Sequence, residues 1–290
     1  MLSNTSFLFS MKHFGDIPME FAGPDAPYVI LPVPYDGTST WVKGSDRGPE
    51  ALLEASANME LYDIETDTEV YLKGIHTALP VSENTSPEAM EEASYRACLA
   101  WLKKGKTVIT IGGEHSVSAG PIRAYREIFP DLSVLQLDAH TDLRDEYEGS
   151  RYNHACVMAR AQDLGCPVVQ VGIRSMDTGE KDRLIPQHVF WAQQVQGRTD
   201  WWERALDQLT DHVYLTIDLD YFDPSIMSST GTPEPGGLHW YESLAFLKYV
   251  AGRKKIAGFD IVELCPREHN KAPDFLAAKL LYKILSYINL

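Results

Sequence analysis

The chain has 290 residues, of which 44% are hydrophobic and 23% are charged, so it is long enough to bury a large core. Its 41 acidic residues outnumber its 26 basic ones and give a formal net charge of -15. This balance argues against a nucleic-acid-binding protein, which needs a basic patch. It weakly favours cationic partners, although an acidic surface also serves solubility alone.

The amino terminus, MLSNTSFLFSMKHFGD, is a poor signal peptide, because it lacks a basic start and polar residues interrupt its apolar stretch. No later segment is long and apolar enough to predict a membrane span. The cysteines have no paired spacing typical of a zinc knuckle or a redox motif. They are Cys98, Cys156, Cys166 and Cys265. We therefore predict buried thiols in a reducing compartment, the cytoplasm.

Six segments are predicted to be strands, because most are near-continuous apolar runs typical of a parallel sheet buried on both faces. In chain order they are YVILPVPY (28–35), TVITIG (107–112), LSVLQLD (132–138), PVVQVG (167–172), HVYLTIDLD (212–220) and KIAGFDIVEL (255–264). Helical patterns lie between them, which predicts an α/β fold with one parallel sheet covered by helices. No linker interrupts the pattern, so we predict a single domain over residues 1–290, with residues 1–25 packing outside the core.

Three predicted helices have recognisable signals. One begins after Ser86, which is followed by a proline and by early glutamates that suit the positive end of the helix dipole. The segment DWWERALDQL (200–209) is predicted to begin with Asp200 as its N-cap, and Glu203 completes a capping-box pattern. The strongly apolar FLAAKLLYKILSYI (275–288) predicts the final helix.

Three of the predicted strands end in metal-type ligands. The alternate positions of DAHTD (138–142) point the same way in an extended chain, and two carboxylates converging there would repel each other without a cation. The IGGEHS and DLDYFDP stretches follow two other strands. Together the three ends supply His115, Asp138, His140, Asp142, Asp218 and Asp220. Each residue alone has a simpler explanation as a helix cap or loop residue, but their coincidence at one sheet edge predicts a metal centre.

The composition of this ligand set indicates the metal. Six ligands are too many for one tetrahedral zinc, and an oxygen-rich set suits octahedral ions such as Mn²⁺. Two ions about 3.5–4 Å apart, sharing bridging carboxylates, would use all six ligands and lower the pKa of a bridging water. The residues therefore predict metal-assisted hydrolysis.

The motifs of the chain resemble those of the ureohydrolase (arginase/agmatinase) family. Within this family the chain is most similar to agmatinases. The motifs are GGEHS (112–116), DAHTD (138–142), NHA (153–155), TIDLDYFDP (216–224), GTPEPGG (231–237) and DIVEL (260–264). The resemblance extends from about residue 31 to the final helix. It implies a three-layer α/β/α, arginase-like fold with about eight parallel strands. It also implies two Mn²⁺ per chain, a homotrimer or homohexamer, and release of urea from a guanidino compound.

The resemblance also implies how the metals are shared. His115, Asp138, Asp142 and Asp218 would hold one manganese, and His140, Asp138, Asp218 and Asp220 the other. Asp138 and Asp218 would then bridge the two ions. Asp142 would also accept a hydrogen bond from the bridging hydroxide and orient it.

Two further residues are assigned catalytic roles. A planar guanidinium pairs bidentately with a carboxylate, and Glu263 matches the guanidinium-binding glutamate of the family. His154 matches its proton-shuttling histidine, and a near-neutral pKa suits that role. Without the resemblance, these would be a strand-end acid and a loop histidine. The implied reaction is attack of hydroxide on the guanidinium carbon, followed by expulsion of an amine protonated through Asp142 or His154.

The predicted substrate is agmatine, a small guanidino cation, which would yield urea and putrescine. Asp145, Glu146 and Glu148 would oppose a substrate carboxylate, whereas an inward-facing Arg144 or Arg151 would counter that effect. Aminopropylagmatine, guanidinobutyrate, guanidine, arginine and formiminoglutamate remain alternatives, as does a non-catalytic binding protein. Such a protein would be expected to have lost ligands.

Two positions depart from the agmatinase pattern. The pair Ser228-Ser229 stands where agmatinases commonly have Pro-Gly, near the substrate mouth in that family. Cys265 is predicted to be a small buried thiol, and Asp223 a turn residue and not a ligand.

Overall fold

The computed structural model describes residues 12–290, and its centre is one eight-stranded sheet. The strands are β1 (Tyr28–Val33), β2 (Ile75–Thr77), β3 (Thr107–Gly112), β4 (Ser133–Leu137), β5 (Val168–Ile173), β6 (Val189–Trp191), β7 (His212–Asp218) and β8 (Lys255–Val262). Their order across the sheet is β2-β1-β3-β8-β7-β4-β5-β6, and every neighbouring pair is parallel. The predicted parallel sheet of about eight strands is confirmed.

Helices cover both faces of the sheet. They are α1 (Met19–Ala22), α2 (Gly48–Ser56), α3 (Pro87–Leu102), α4 (Ala119–Ile128), α5 (Val157–Asp163), α6 (Ala192–Val195), α7 (Trp202–Leu206), α8 (Trp240–Ala251) and α9 (Ala272–Ile288). Alternate residues of β1 enter different cores: Ile30 packs in a core with α2, α8 and α9, whereas Val29 and Leu31 pack in one with α3, α4 and α5. Because side chains alternate along a strand, two cores on opposite faces make three layers.

Strands β2 and β6 were not predicted from the sequence. Each has only three residues and lies at an outer edge of the sheet, so neither is long enough to show a period. The predicted strand over residues 212–220 ends at Asp218, because Leu219–Tyr221 form a 3₁₀ turn. That turn redirects the chain at the point where the ligands lie.

Two of the three helix predictions are confirmed. Ser86 caps α3 by accepting the backbone N–H of Ala89 at 3.1 Å, and α9 covers the predicted final segment. The capping box in the segment 200–209 is wrong, since α7 is shorter and follows Trp201, which makes no side-chain cap. Both carboxylate oxygens of Asp200 instead accept hydrogen bonds from Arg198.

The amino-terminal part of the described chain differs from its prediction. Phe14, Ile17 and Ala22 are buried in the core on the α2–α9 side, and the Phe14 ring stacks on Tyr282 at 6.3 Å. These apolar side chains are part of the core, so residues 12–25 do not lie wholly outside it. Residues 1–11 of that predicted segment lie outside the described residues. Within residues 12–290, no helix is both long and apolar enough to cross a membrane. The four cysteines are free and buried, as predicted.

Candidate metal centre and active site

The site lies at the carboxyl ends of four strands that are consecutive in the sheet, β3, β8, β7 and β4. His115 follows β3, Glu263 follows β8, Asp218 ends β7 and Asp138 follows β4. In an open parallel sheet the carboxyl ends of neighbouring strands share one edge. Residues separated by more than 100 positions are therefore brought to one place.

The six predicted ligands form two connected groups. His115 Nδ1 lies 2.9 Å from Asp142 Oδ2, 3.1 Å from Asp138 Oδ2 and 3.5 Å from Asp218 Oδ2. His140 Nδ1 lies 3.0 Å from Asp220 Oδ2 and 3.6 Å from Asp138 Oδ1. Asp138 belongs to both groups, as a bridging ligand should. Asp218 belongs only to the group of His115, so its bridging role stays a prediction.

The hydrogen bonds around His115 show that its environment fits a metal ion. Thr216 donates its hydroxyl proton to Asp260 at 2.7 Å, so at 2.9 Å it accepts the Nε2–H of His115. In a neutral imidazole Nδ1 then carries a lone pair. This buried nitrogen lies among carboxylate oxygens, and no hydrogen-bond donor in the described part of the chain reaches it. A cation between them would satisfy all of these acceptors.

The pKa values of the buried carboxyl groups also indicate a cation site. Burial and the charge of Asp138 raise the pKa of Asp142 to about 7. Burial, Asp220 and Asp138 raise the pKa of Asp218 well above its ordinary value. Ionisation of several carboxyl groups this close together costs electrostatic free energy, because their charges repel. Divalent ions would favour the charged forms.

Two site residues adopt a backbone conformation that is unusual for a side chain. Asp142 has φ 50° and Glu263 has φ 66°, both in the left-handed region. Such a conformation costs about 1 kcal/mol or more and persists only where the surroundings enforce it. The carbonyl of Asp142 accepts the N–H of Met158 at 3.0 Å, and the N–H of Glu263 donates to Gly113 O at 2.7 Å. These bonds hold both carboxylates towards the site.

Within residues 12–290, Glu263 has one oxygen engaged in a hydrogen bond and one without such a partner. Its Oε1 accepts the backbone N–H of His115 at 2.8 Å. Gly231 lies opposite Oε2, and a β-carbon added to this glycine would still be 3.7 Å from that oxygen. Burial and the neighbouring charge of Glu114 raise the pKa of Glu263 well above its usual value. A guanidinium there would favour the carboxylate form.

A cavity of about 270 Å³ joins these groups. Its charged and imidazole-bearing residues are His115, His140, His154, Asp142, Asp177, Glu180, Asp218, Asp220, Glu263 and Arg144. Apart from the predicted metal ligands, the carboxylates of Asp177, Glu180 and Glu263 face one arginine, so a cationic ligand is favoured. The structure places the predicted catalytic residues Asp142, His154 and Glu263 in the same cavity.

Several residues that support the site were not predicted from the sequence. Gln136 donates to Asp138 Oδ2 at 2.7 Å and is itself fixed by Gln170, whose Nε2 lies 2.6 Å from Gln136 Oε1. Glu180 accepts the hydroxyl of Thr141 and the N–H of Leu143, which braces the loop after β4. The available signal was a polar residue within a buried apolar strand, as at Gln136.

The prediction for the segment 143–153 is wrong in one respect. Asp145, Glu146 and Glu148 do not line the cavity, whereas Arg144 does. Asp145 points to the surface because Arg160 and Arg183 bind its Oδ1 at 2.9 and 2.7 Å. Asp177 and Glu180, from a later segment, are acids that do line the cavity.

Three other residues singled out in the sequence, Asp223, Ser228 and Cys265, lie in loops. Asp223 is a loop residue, since its carboxylate accepts the N–H groups of Ser225 and Gly236 at 3.0 Å each. Ser228 accepts a hydrogen bond from Asn270 at 3.1 Å. Cys265 is a buried thiol 3.5 Å from Lys43 O.

This fold and site define a metal-dependent α/β hydrolase, and known proteins agree. The Arginase family model matches residues 26–286. The chain is 39% identical to the N(1)-aminopropylagmatine ureohydrolase of Synechocystis sp., over 99% of this chain and 97% of that protein. It is 34% identical to the agmatinase of Pyrococcus horikoshii, over 90% of this chain and 92% of that protein. The agmatine ureohydrolase of Thermoplasma volcanium superposes with a TM-score of 0.83 at 30% identity, over 97% of this chain and 96% of that one.

The chain therefore belongs to the arginase family, whose members are binuclear metal hydrolases. Within that family it is an agmatinase-type ureohydrolase. A non-catalytic role, the alternative left open by the sequence, is not supported, because all six metal-type ligands are present and converge.

Proposed function

We propose that the protein hydrolyses the guanidino group of a linear guanidinoalkylamine to urea and an amine, using two Mn²⁺ ions. The observation that carries the proposal is the position of Glu263: its carboxylate lies in the same cavity as both ligand groups and is tied to the backbone of His115. A guanidinium paired with this carboxylate is held beside the metal ligands.

The six converging residues would hold the ions as the sequence predicts. A pair of divalent ions would supply hydroxide, the nucleophile, at neutral pH. The oxygen-rich ligand set, with four carboxylates and two imidazoles, supports Mn²⁺ over zinc.

The protein residues have separate tasks. Glu263 fixes the plane of the guanidinium and presents its carbon to the metal centre. Asp142, held in its strained conformation, lies on the same side as His115 and is placed to accept a proton from the attacking water. His154 borders the cavity, where it would meet the departing amine.

The length of the amine tail distinguishes two candidate substrates. The sequence predicts agmatine, which would yield putrescine. Several relatives at 34–39% identity are named for N(1)-aminopropylagmatine, and this observation favours the longer, doubly cationic tail. Asp177 and Glu180 in the cavity are suited to either cation. We propose N(1)-aminopropylagmatine as the preferred substrate and agmatine as the poorer one.

A urea-release assay on purified protein loaded with Mn²⁺ tests these proposals. The panel is N(1)-aminopropylagmatine, agmatine, guanidinobutyrate, guanidine and arginine, and formiminoglutamate is followed by formamide release. Higher kcat/KM for the aminopropyl compound supports the proposal, and a preference for agmatine restores the sequence prediction. Activity on none of the guanidino compounds, with both metal sites filled, contradicts the proposed function.

A further inference from the structure

Arg174 connects three segments beside the predicted metal centre. It directly follows β5, and its guanidinium carries five N–H donors in one rigid plane. All five donate to backbone carbonyl oxygens. These belong to Gly172 at 3.0 Å, Asp220 at 2.6 Å, Tyr221 at 3.4 Å, Glu234 at 2.9 Å and Pro235 at 3.1 Å. One side chain thus joins the end of β5, the loop after β7 and the loop over residues 231–237. No role for Arg174 was predicted from the sequence.

The backbone at Arg174 holds the loop after β4. The N–H groups of Arg174 and Ser175 both donate to Ala139 O, at 2.8 and 3.0 Å. Ala139 directly precedes His140, and its own N–H donates to Asp220 Oδ1 at 3.1 Å. Arg174 is therefore bonded to both loops that supply the His140 group, in which His140 Nδ1 lies 3.0 Å from Asp220 Oδ2.

The side-chain contact spans a whole strand. In the sheet β4 lies between β5 and β7, so Arg174 reaches past the end of β4 to the carbonyl of Asp220. The approach depends on Gly172, which has φ 92° and whose added β-carbon would lie 2.5 Å from the ring of Tyr221. Because a side chain there would be strained and would meet that ring, the position requires glycine. The buried Tyr221 packs at this glycine and keeps its loop within reach of Arg174.

The ligand group of His115 has other supports. Asp218 is the last residue of β7 and belongs to the ladder with β8. Gln136 donates to the carboxylate of Asp138 at 2.7 Å. Within residues 12–290, the hydrogen bonds of Arg174 reach none of the ligands in this group. The contacts of Arg174 thus distinguish the two groups.

We propose that Arg174 is a positioning residue that sets Asp220 against His140 and thereby fixes one of the two metal positions, that of the His140 group. The planar fork performs this task and the positive charge does not, because the partners are neutral carbonyl oxygens in three segments. A lysine keeps the charge but has its three donors on one atom, so it cannot reach all three segments. The inference rests on the two-metal site of the proposed function.

The expected consequence is specific to one ion. Without Arg174 the loop after β7 loses two of its carbonyl contacts, so the carboxylate of Asp220 should shift relative to His140. Residues that orient metal ligands typically change metal affinity by about 10–100-fold. The ion of the His140 group should therefore bind at least about tenfold more weakly, while the ion of the His115 group binds nearly as before. A general loosening of the fold would weaken both ions.

Isothermal titration calorimetry of the metal-free protein with Mn²⁺ measures both affinities in the absence of substrate. We expect two binding events in the wild type, and a loss of at least about tenfold in one event only in Arg174→Lys and in Arg174→Met. Arg204→Lys, at an exposed arginine of α7, is the matched control. Two wild-type affinities in Arg174→Lys overturn the proposal, and so does an equal loss in both events.

A combined variant identifies the ion that is affected. Asp220→Asn already removes a ligand of the His140 group, so Arg174→Lys added to it should cause no further loss of affinity. If the combined variant binds its remaining ion more weakly than Asp220→Asn does, Arg174 supports the whole centre and the proposal is wrong.

A crystal structure of the Mn²⁺-loaded wild type tests the geometry without any substitution. We expect an ion on His140 and Asp220, with the guanidinium of Arg174 on the carbonyls of Asp220 and Glu234. An ion at that position with Arg174 turned away from Asp220 overturns the proposal even if no variant folds. Absence of urea release with both ions bound contradicts the proposed function alone.

Discussion

The backbone N–H of His115 donates a 2.8 Å hydrogen bond to Oε1 of Glu263. This bond joins a metal ligand from the loop after β3 to the carboxylate predicted to hold the guanidinium. It lies between strands that are neighbours in the sheet, β3 and β8, although the two residues are 148 positions apart. A shift of either loop would therefore misalign metal and substrate together.

Glu263→Gln should retain both metal ions but lose substrate capture. The amide oxygen can still accept from His115, but the charge opposite the guanidinium is removed. Loss of one partner of a buried charge pair costs roughly 2–5 kcal/mol, so kcat/KM should fall by more than about tenfold. Metal content and urea release are measured together. Glu146→Gln, an exposed acid outside the cavity, is the control. Wild-type kcat and KM in Glu263→Gln would show that the guanidinium is held elsewhere.

Asp138→Asn and Asp220→Asn should differ in metal content. Asp138 belongs to both ligand groups, so its substitution should weaken both ions, whereas Asp220 belongs to one. Elemental analysis after loading and gel filtration should give close to two ions for the wild type, one for Asp220→Asn and fewer for Asp138→Asn. Asp218→Asn, measured alongside, tests its predicted bridging role. Activity should be largely lost in all three. A fully active protein with a single tightly bound zinc would contradict the binuclear site.

Asp260→Asn should weaken metal binding although Asp260 is not a ligand. Its carboxylate accepts from Thr216, which orients the proton of His115 away from the metal side. Partners of this kind typically change metal affinity by about 10–100-fold. Isothermal titration calorimetry with Mn²⁺ measures the change in metal affinity. Thr216→Val should act in the same direction, and an unchanged affinity in both variants would rule out this support.

The convergence of the six metal-type side chains could be predicted because its signal is local. Asp138, His140 and Asp142 alternate at the end of an apolar strand, and a period of two needs only a few residues. The left-handed conformation of Asp142 could not be predicted in this way. It depends on the bond from Met158 to its carbonyl, which belongs to a helix 16 residues away.

Contacts between distant loops could not be predicted from the sequence. Nothing near Thr38 indicates that it binds His154, because the contact exists only once β1 and β3 are paired and the loop after β4 has folded over them. The outward direction of Asp145 likewise depends on Arg183, 38 residues away. Strand order and side-chain direction in irregular loops are tertiary properties, and spacing does not encode them.

The protein should lose stability in acid through a cluster on α9. Burial alone would raise the pKa of Glu65, but hydrogen bonds from Lys283, Tyr287 and Lys248 lower it to about 2. The pKa of Asp63 is also lowered, since its bonds from Lys283 and Thr66 outweigh burial. A depressed carboxyl pKa stabilises the fold above the unfolded pKa, and this stability is lost as the pH falls from about 4.5 to about 2.

Lys283→Met tests this linkage. The lysine is buried and lies 2.9 Å from Asp63, so the variant leaves a buried charge unpaired and should lower the free energy of unfolding by about 3 kcal/mol at pH 7. The difference from wild type should shrink towards about pH 3. Urea denaturation at both pH values measures it, with Lys181→Met, an exposed lysine, as the control. A constant difference across this range would contradict the linkage.

Arginine should be a poor substrate. Its α-carboxylate would enter a cavity that already contains Asp177 and Glu180, and the nearby Arg144 is engaged by both acids at 3.6 and 3.5 Å. Each 1.4 kcal/mol of unfavourable charge contact gives about tenfold discrimination. We expect kcat/KM for agmatine to exceed that for arginine by at least roughly a hundredfold, and urea assays at matched pH and Mn²⁺ measure the ratio.

Asp177→Asn should reduce the preference for agmatine over arginine. The substitution removes one acid and frees Arg144 to bind the α-carboxylate of arginine. The side chain of Asp177 is 48% exposed, so solvent screening should limit the change to a few-fold. Asp182→Asn, five residues along the chain and exposed, serves as the matched control. A comparable kcat/KM for arginine and agmatine in the wild type would show that these acids do not select the substrate. The metal chemistry would be unaffected by that result, because neither Asp177 nor Arg144 belongs to the two ligand groups.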